Sequence, residues 1–400
     1  MMKIFYSLEA FYPHISGVTI VTDRLASHFF KDKDFETFVI TASETGDFVI
    51  EKSPKGYTVI KLKSIPKALR RKIPISILAK IPISEIFKKY KPEIIHLQDP
   101  AFISQSVAIE AKKYKVPVLA TQHSSLAFPL AYLGLPKFLK SFTEKIMAKS
   151  LAFFYNTYCQ KIITPSYFIK NEVLKWGVKI PVEVVSNGIN LNIFKKGRVS
   201  LEFLKEYNLE DFISRPIVFY SGRIDKDKNL ETFISAIPLV LKEVEANFLF
   251  LGTGDLKEEL IKEIKKTGIE NYVKFIGPIS PGDLDIPEFY QLSAIFVIPS
   301  YIEAQSLVTM EAMASGLPII ASNGGALPEL IKDNENGFLV NPFKKEEFAQ
   351  KIILLLKDKK LLKRMGEKSL ELITNHDINL TFKKFKEIYL SLINEKRNNC

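Results

Sequence analysis

The sequence predicts an α/β protein built from two doubly wound, Rossmann-like domains, each a parallel sheet with helices on both faces. Three observations predict it. Short β-branched apolar runs alternate with helical patterns from one end of the chain to the other. A length of 400 residues exceeds what one hydrophobic core usually supports. Hydrophobic residues at 46% and charged residues at 25% fit a globular chain and exclude a disordered or fibrous one.

The first series of strands is expected at residues 3–8, 37–41, 57–62, 93–97, 118–121, 161–164 and 183–185. The second is expected at 217–221, 248–252, 273–276, 295–299, 318–321 and 338–340. Each is a nearly continuous apolar run, as IVFYS at 217–221 shows, which suits strands covered on both faces. Helical spacing fills the gaps, for example at 103–111, 230–243 and 256–266. Two series mean two domains, 1–195 and 196–379, with KKGRVS near the break and a final helical segment, 380–400, beyond the second. No solenoid repeat and no low-complexity tract is present.

The start, MMKIFYSLEAFYPH, does not read as a signal peptide, because Glu9 interrupts the apolar stretch it would need. The longest span without Asp, Glu, Lys or Arg, 116–136, contains Gln122, His123 and three prolines, so it reads as strand plus loop rather than a bilayer span. Two cysteines, Cys159 and Cys400, exclude a disulfide scaffold and a four-cysteine zinc site. A cytoplasmic location is expected.

Charge is unevenly spread. Residues 1–200 hold 30 basic and 15 acidic side chains, whereas residues 201–400 hold 26 and 30. Within 61–91, ten basic residues, among them Lys67, Arg70, Arg71 and Lys72, face Glu85 alone. Such a field attracts anions: lipid headgroups, nucleic acid or a phosphorylated substrate. The plain alternative is a solvated loop. Isoleucines interspersed with the lysines suit an interface better than a nucleic-acid groove, which would want aromatic stacking platforms.

In open parallel sheets, ligands bind beyond the carboxyl ends of the strands, so the loops there are the ones to read. After the first strand, Gly17 stands where a helix begins, and its neighbours' amides can approach a phosphate; a glycine turn without a ligand is the alternative. After 217–221, Arg223 and Lys228 lie five residues apart across a strand-to-helix turn in SGRIDKDKNL. They could hold a diphosphate; equally, Asp225 and Asp227 could pair with the lysines in a solvated turn. LFLGTGDLKEEL places Gly252 and Gly254 between strand and helix, and lacks the full GxGxxG fingerprint of a dinucleotide oxidoreductase. In VIPSYIEAQSLVTMEAMASGLPIIAS, Glu303 sits in a short loop before a helix from about 306 to 314, whose N-terminal amides form an anion site. Glu311 follows eight residues later, roughly 12 Å along the axis. That is too far for a glycosidase pair acting on one bond, and suits two hydroxyl contacts at opposite ends of one elongated ligand; a solvated helix flank is the alternative.

Of five histidines, His123 follows an apolar strand in LATQHSS and is expected to point toward the ligand end, a hydrogen-bonded structural histidine being the alternative. His96, in IIHLQDP with Asp99 close behind, reads either as an acceptor-side group or as a hydrogen-bonded core histidine. Neither belongs to a spaced ligand set, so no metal is expected.

These segments together resemble the retaining glycosyltransferases of family 4, which share the GT-B fold of two Rossmann-like domains facing across a deep cleft. The likeness runs from FYPHISGV through ATQHSS, IITPS, VVSNGINLNIF, SGRIDKDKNL and GTGD. It continues with the E-x7-E signature in EAQSLVTME, then AMASGLPIIAS, GALPELI and NGFLV. The resemblance implies that Gly17 lies against the donor phosphate and His123 near the donor sugar. Arg223 and Lys228 would bind the diphosphate, and Glu303 would hold hydroxyls of the transferred sugar. Gln305 and the backbone at Ser306, Leu307 and Val308 would complete the donor pocket. Glu311 would grip the ribose, Gly222 would join the donor-binding set, and Gly252 and Gly254 would border the nucleoside. The last helix would cross back onto the first domain.

Two departures stand out: Ser16–Gly17 replaces a double glycine, and Gln305–Ser306 replaces an aromatic–glycine pair. Both variants, and TQHSSLAFPLAYLG, resemble the diacylglycerol glucosyltransferase-like branch. The activity this resemblance implies is metal-independent transfer from a nucleotide-diphosphate sugar, UDP-hexose ahead of GDP-hexose, to a lipid acceptor. It would take place at an anionic surface on the inner face of the cell membrane, with no nucleic-acid partner. Transfer to a soluble or polyprenyl-linked glycan, and sugar-nucleotide epimerisation on the same fold, are the alternatives.

Overall fold

A computed structural model of the chain describes residues 1–66, 74, 80–127, 136–277, 279 and 285–398. Lys67, Arg70, Arg71 and Lys72, the expected membrane-facing set, lie outside the described residues. The chain divides into two compact units, Met1–Ser186 with Thr381–Cys400, and Asn187–Leu380.

The first unit is built on eight strands: β1 (Met2–Ser7), β2 (Phe35–Ala42), β3 (Val49–Lys52), β4 (Thr58–Leu62), β5 (Ile94–Leu97), β6 (Val118–Thr121), β7 (Lys161–Thr164) and β8 (Val182–Val184). They lie in the order β3-β4-β2-β1-β5-β6-β7-β8. All neighbouring pairs are parallel except β3 with β4. β3 is the strand that apolar pattern does not find. Its sequence, VIEK, is short, charged and largely exposed at the sheet edge, which is how an edge resists pairing with other chains. Strand order reverses between β1 and β5, placing the loops after these two strands at the switch point where such sheets take ligands.

Helix Gly17–Lys31 opens at the carboxyl end of β1. Ser16 caps it, its Oγ accepting the Thr19 amide at 3.1 Å. Val21, Leu25, Ala26 and Phe29 form its buried face, at the spacing the sequence shows. The C-terminal helix, Ile378–Asn398, completes this unit from the far end of the chain. Phe382 stacks on His28 at 3.7 Å. Lys386 bonds Asp32 at 2.7 Å and Asp34 at 3.2 Å, and Arg397 reaches Glu93 at 3.0 Å.

The second unit holds β9 (Ile217–Ser221), β10 (Asn247–Leu251), β11 (Val273–Ile276), β12 (Ile295–Ile298), β13 (Ile319–Ser322) and β14 (Gly337–Val340). The order is β11-β10-β9-β12-β13-β14, parallel throughout. Its switch point falls between β9 and β12. Phe219, Tyr290 and Phe296 pack together beneath it, with ring centroids 5.0–5.9 Å apart.

This unit begins at Asn187, nine residues before the division at 196 that composition suggests. Ile189 donates to His376 O at 2.8 Å and accepts from the Ile378 amide at 3.0 Å, while the Phe194 ring meets Tyr290. Pairing with residues so distant in sequence leaves no local mark.

Candidate active site

The second unit's site grows out of its switch point. β9 ends at Ser221 and the chain turns through Gly222, whose φ is +143°. The Tyr220 hydroxyl donates to Arg223 O at 2.6 Å and fixes the turn. One 3-10 turn, Lys226–Lys228, then ends on Asn229 in the left-handed region. Asn229 is buried, and its amide donates to Pro299 O at 3.0 Å and Pro342 O at 2.7 Å. Its Oδ1 accepts from Thr232 at 2.8 Å. This one side chain therefore ties the turn after β9 to the ends of β12 and β14.

The tie brings Lys228 Nζ within 2.7 Å of Glu303 Oε1, and both side chains are only 12% exposed. Lys228 also lies 3.5 Å from Asp227, and Arg223 pairs with both Asp225 and Asp227. Without a ligand, two cations thus face three carboxylates. Arg223 is the more exposed cation at 39%, while its partners Asp225 and Asp227 are largely buried.

The loop carrying Glu303 is held from beneath by backbone. Glu303 O accepts the Ala326 amide at 2.7 Å. A Cβ at Gly325, where φ is +59°, would strike that same carbonyl oxygen, so the loop can settle only over glycine. Gln305 Oε1 accepts the Asn187 amide at 2.8 Å, which commits part of this predicted donor-binding side chain to holding the start of the unit.

Ser306 caps helix Leu307–Ala314, its Oγ accepting from Thr309 N at 3.4 Å and Thr309 Oγ1 at 2.8 Å. The Leu307 and Val308 amides are then the first-turn donors the helix itself does not use. Further along the helix, Glu311 Oε2 accepts from the Tyr290 hydroxyl at 2.8 Å. Burial, and secondarily Glu311, push the Tyr290 pKa well above the usual range, so the phenol stays a donor.

Gly252 ends β10 beside Gly222, with φ +140°, and donates to Ile276 O at 2.8 Å. A Cβ there would collide with the Gly222 carbonyl oxygen. Gly254 follows against the Ile224 carbonyl, and the result is a shelf of bare backbone next to Arg223.

The first unit assembles a separate group. Gly17 starts its helix as expected. His123, after β6, shares a hydrogen bond between its Nε2 and Gln98 Oε1 at 2.9 Å, and burial lowers its pKa to about 4. It is therefore a neutral imidazole at physiological pH. Gln98 leaves β5, its backbone amide bonded to Ser7 O at 2.8 Å, and its buried side-chain nitrogen has no partner among the described residues. Asp99 accepts from the amides of Glu9 (2.6 Å) and Ala101 (3.1 Å) and from Ser104 (3.0 Å), although burial raises its pKa. It organises the loops after β1 and β5.

His96 is a core residue rather than an acceptor-side group. It is fully buried, with Nδ1 2.7 Å from the Tyr389 hydroxyl and Nε2 2.7 Å from Thr121 Oγ1, and burial pushes its pKa well down. Both ring nitrogens are spent inside the unit.

Three supporting residues escape sequence reasoning. Asn229 stands in SGRIDKDKNL with nothing in the pattern to give it a role, and Tyr290 sits in a short apolar helix. Gly325 belongs to a Gly–Gly pair after a strand, a signal of close backbone approach that could have found it. Among the described residues, no group of three or more His, Cys, Asp or Glu stands where it could hold a metal ion.

Comparison with known proteins adds two family models in tandem, Glycosyltransferase Family 4 over residues 15–193 and Glycosyl transferases group 1 over residues 209–371. Sulfoquinovosyl transferase SQD2 of Arabidopsis thaliana is 28% identical over 362 residues, covering 86% of this chain and 67% of that protein. The alpha-monoglucosyldiacylglycerol synthase of Streptococcus pneumoniae is 24% identical over 341 residues, or 84% of this chain and 75% of that one. Among solved structures, sucrose-phosphate synthase from Thermosynechococcus elongatus matches with a TM-score of 0.80 at 22% identity, covering 99% of this chain and 100% of that one. The architecture is GT-B.

Proposed function

The chain belongs to the glycosyltransferases, with a family 4 amino-terminal half and a group 1 carboxyl-terminal half, and we propose that it moves a hexose from a nucleotide-diphosphate sugar to a hydroxyl of a membrane lipid such as diacylglycerol, with retention at the anomeric carbon. The observation that carries this is the Lys228–Glu303 pair, 2.7 Å apart at the switch point of the second sheet. It sets a phosphate-binding cation directly against a hydroxyl-binding carboxylate, which is the junction a sugar phosphate presents.

In this reading Arg223, Lys228 and the Leu307 and Val308 amides receive the diphosphate, and no metal is assigned. Glu303 accepts hydrogen bonds from hydroxyls of the hexose, and Glu311, held by Tyr290, does so from the ribose. The bare backbone at Gly222, Gly252 and Gly254 borders the nucleoside. As the bond from the anomeric carbon to the phosphate oxygen breaks, its electron pair moves onto that oxygen, where the two cations and the helix terminus stabilise the charge. The acceptor hydroxyl attacks from the same face and yields its proton to the departing phosphate oxygen, so the products are the glycoside and the nucleoside diphosphate. UDP-hexose is the donor proposed first, GDP-hexose second.

The lipid acceptor is supported by the name of the pneumococcal relative, an alpha-monoglucosyldiacylglycerol synthase, and by the basic excess of residues 1–200. No helix among the described residues is long and apolar enough to cross a membrane. Incubation with UDP-glucose and diacylglycerol, followed by NMR of the glycolipid, tests the reading. An α-linked hexose on the lipid is expected. A β-linked product would overturn retention, and a free epimerised sugar nucleotide would overturn transfer.

A further inference from the structure

Helix Lys137–Tyr158 of the first unit lies between β6 and β7. It buries Ala152, Phe154 and Tyr155. Four large apolar side chains face outward instead: Leu139 is 40% exposed, Phe142 63%, Ile146 53% and Phe153 71%. Steps of three, four and seven residues put them on one stripe, within a wedge of about 60° at 100° per residue. Single exposed apolar residues are ordinary, whereas four on one stripe mark an interaction surface.

The charges beside the stripe say what covers it. Exposed Lys145 and Lys149 run along one edge, and Lys140 lies beyond the other. Glu144, the helix's one acidic residue, projects to the opposite side by the same helical geometry. A second copy of this helix would set lysines against lysines. An anionic bilayer satisfies both parts, acyl chains taking the stripe and phosphates the lysines.

We propose that helix Lys137–Tyr158 lies in the headgroup boundary of an anionic membrane, inserting Leu139, Phe142, Ile146 and Phe153 while Lys145 and Lys149 engage lipid phosphates. Its residues are separate in sequence from the basic segment at 61–91. It deepens the lipid-acceptor reading and rests on it for its purpose, but not for its test. That test is co-sedimentation of the full chain with vesicles of phosphatidylcholine alone or mixed with phosphatidylglycerol. The double variant Phe142→Ser, Phe153→Ser is expected to bind the mixed vesicles at least tenfold more weakly with an unchanged circular dichroism spectrum. Lys145→Gln with Lys149→Gln is expected to lose most of the preference for phosphatidylglycerol and much of the salt dependence.

Failure of the unaltered chain to bind, or binding by the phenylalanine variant within twofold of it, would overturn the proposal. So would loss of self-association, rather than of vesicle binding, in sedimentation velocity. Transfer to a short-chain diacylglycerol dissolved as monomer separates the two readings. Stripe-dependent binding without hexose on any lipid would leave docking standing and remove the lipid acceptor.

Discussion

In the proposed reading Lys228 acts through position: a primary amine on a one-turn helix is ordinary until Asn229 pins that turn to the ends of β12 and β14 and sets the amine against Glu303. Lys228→Ala should therefore lower kcat/KM for glycosyl transfer by about 100-fold or more, the scale of removing one donor from a developing anion. Steady-state kinetics on protein with native circular dichroism checks this, and activity within threefold of the unaltered enzyme would contradict the role. His123 gives a prediction of a different kind. Its folded pKa of about 4 lies below the ordinary value of 6.5, so the unfolded chain binds the extra proton between those values. The stability this contributes is complete above about pH 6.5 and is lost as the pH falls toward 4. Urea midpoints measured across that window should fall more steeply for the unaltered chain than for His123→Gln, and equal slopes would show that the imidazole is not buried neutral. Arg223, Lys228, Glu303 and Ser306 stand out as candidates because they follow apolar strands near a helix start, and Glu311 because it lies eight residues after Glu303. The partners that set their geometry are not: Tyr290 meets Glu311 only through tertiary packing, and Tyr389, which claims His96, lies near the other end of the chain.

The strands are legible to within about two residues because a strand covered on both faces has to be a short unbroken apolar run. β3 escapes for the converse reason, since its exposed VIEK sequence is shaped by protection of an edge and not by a core. The junctions of β9 and β10 with the loops after them are where sequence and geometry agree most tightly. Gly252 has φ +140° and no room for a Cβ beside the Gly222 carbonyl. Gly252→Ala should destabilise the second unit by about 2 kcal/mol or more, since it combines a left-handed backbone with a steric clash. Guanidinium unfolding monitored by circular dichroism would show a lower midpoint, and a midpoint equal to that of the parent would mean that the backbone shelf is not built as described.

Over the whole molecule, the chain is sequestered into two units by contacts that local pattern does not reveal. Ile189 bonds to His376, and helix Ile378–Asn398 carries the last residues into the first unit. The expectation that the final helix returns to the first domain comes from family likeness, and the structure supplies its physical basis in the His28–Phe382 stack and the His96–Tyr389 hydrogen bond. Charge divides along the same lines: the basic excess lies in residues 1–200, while the group proposed to bind the donor lies in the second unit. In the proposed reading, the nucleotide is taken by the second unit and the anionic surface is met by the first. The measurement that tests this most directly is incubation of the pure protein with a panel of sugar nucleotides, with and without diacylglycerol in anionic vesicles, following nucleotide release and glycolipid by mass. The account predicts release that depends on the lipid, with one hexose added to it, and release that ignores the lipid while no glycolipid forms would contradict it.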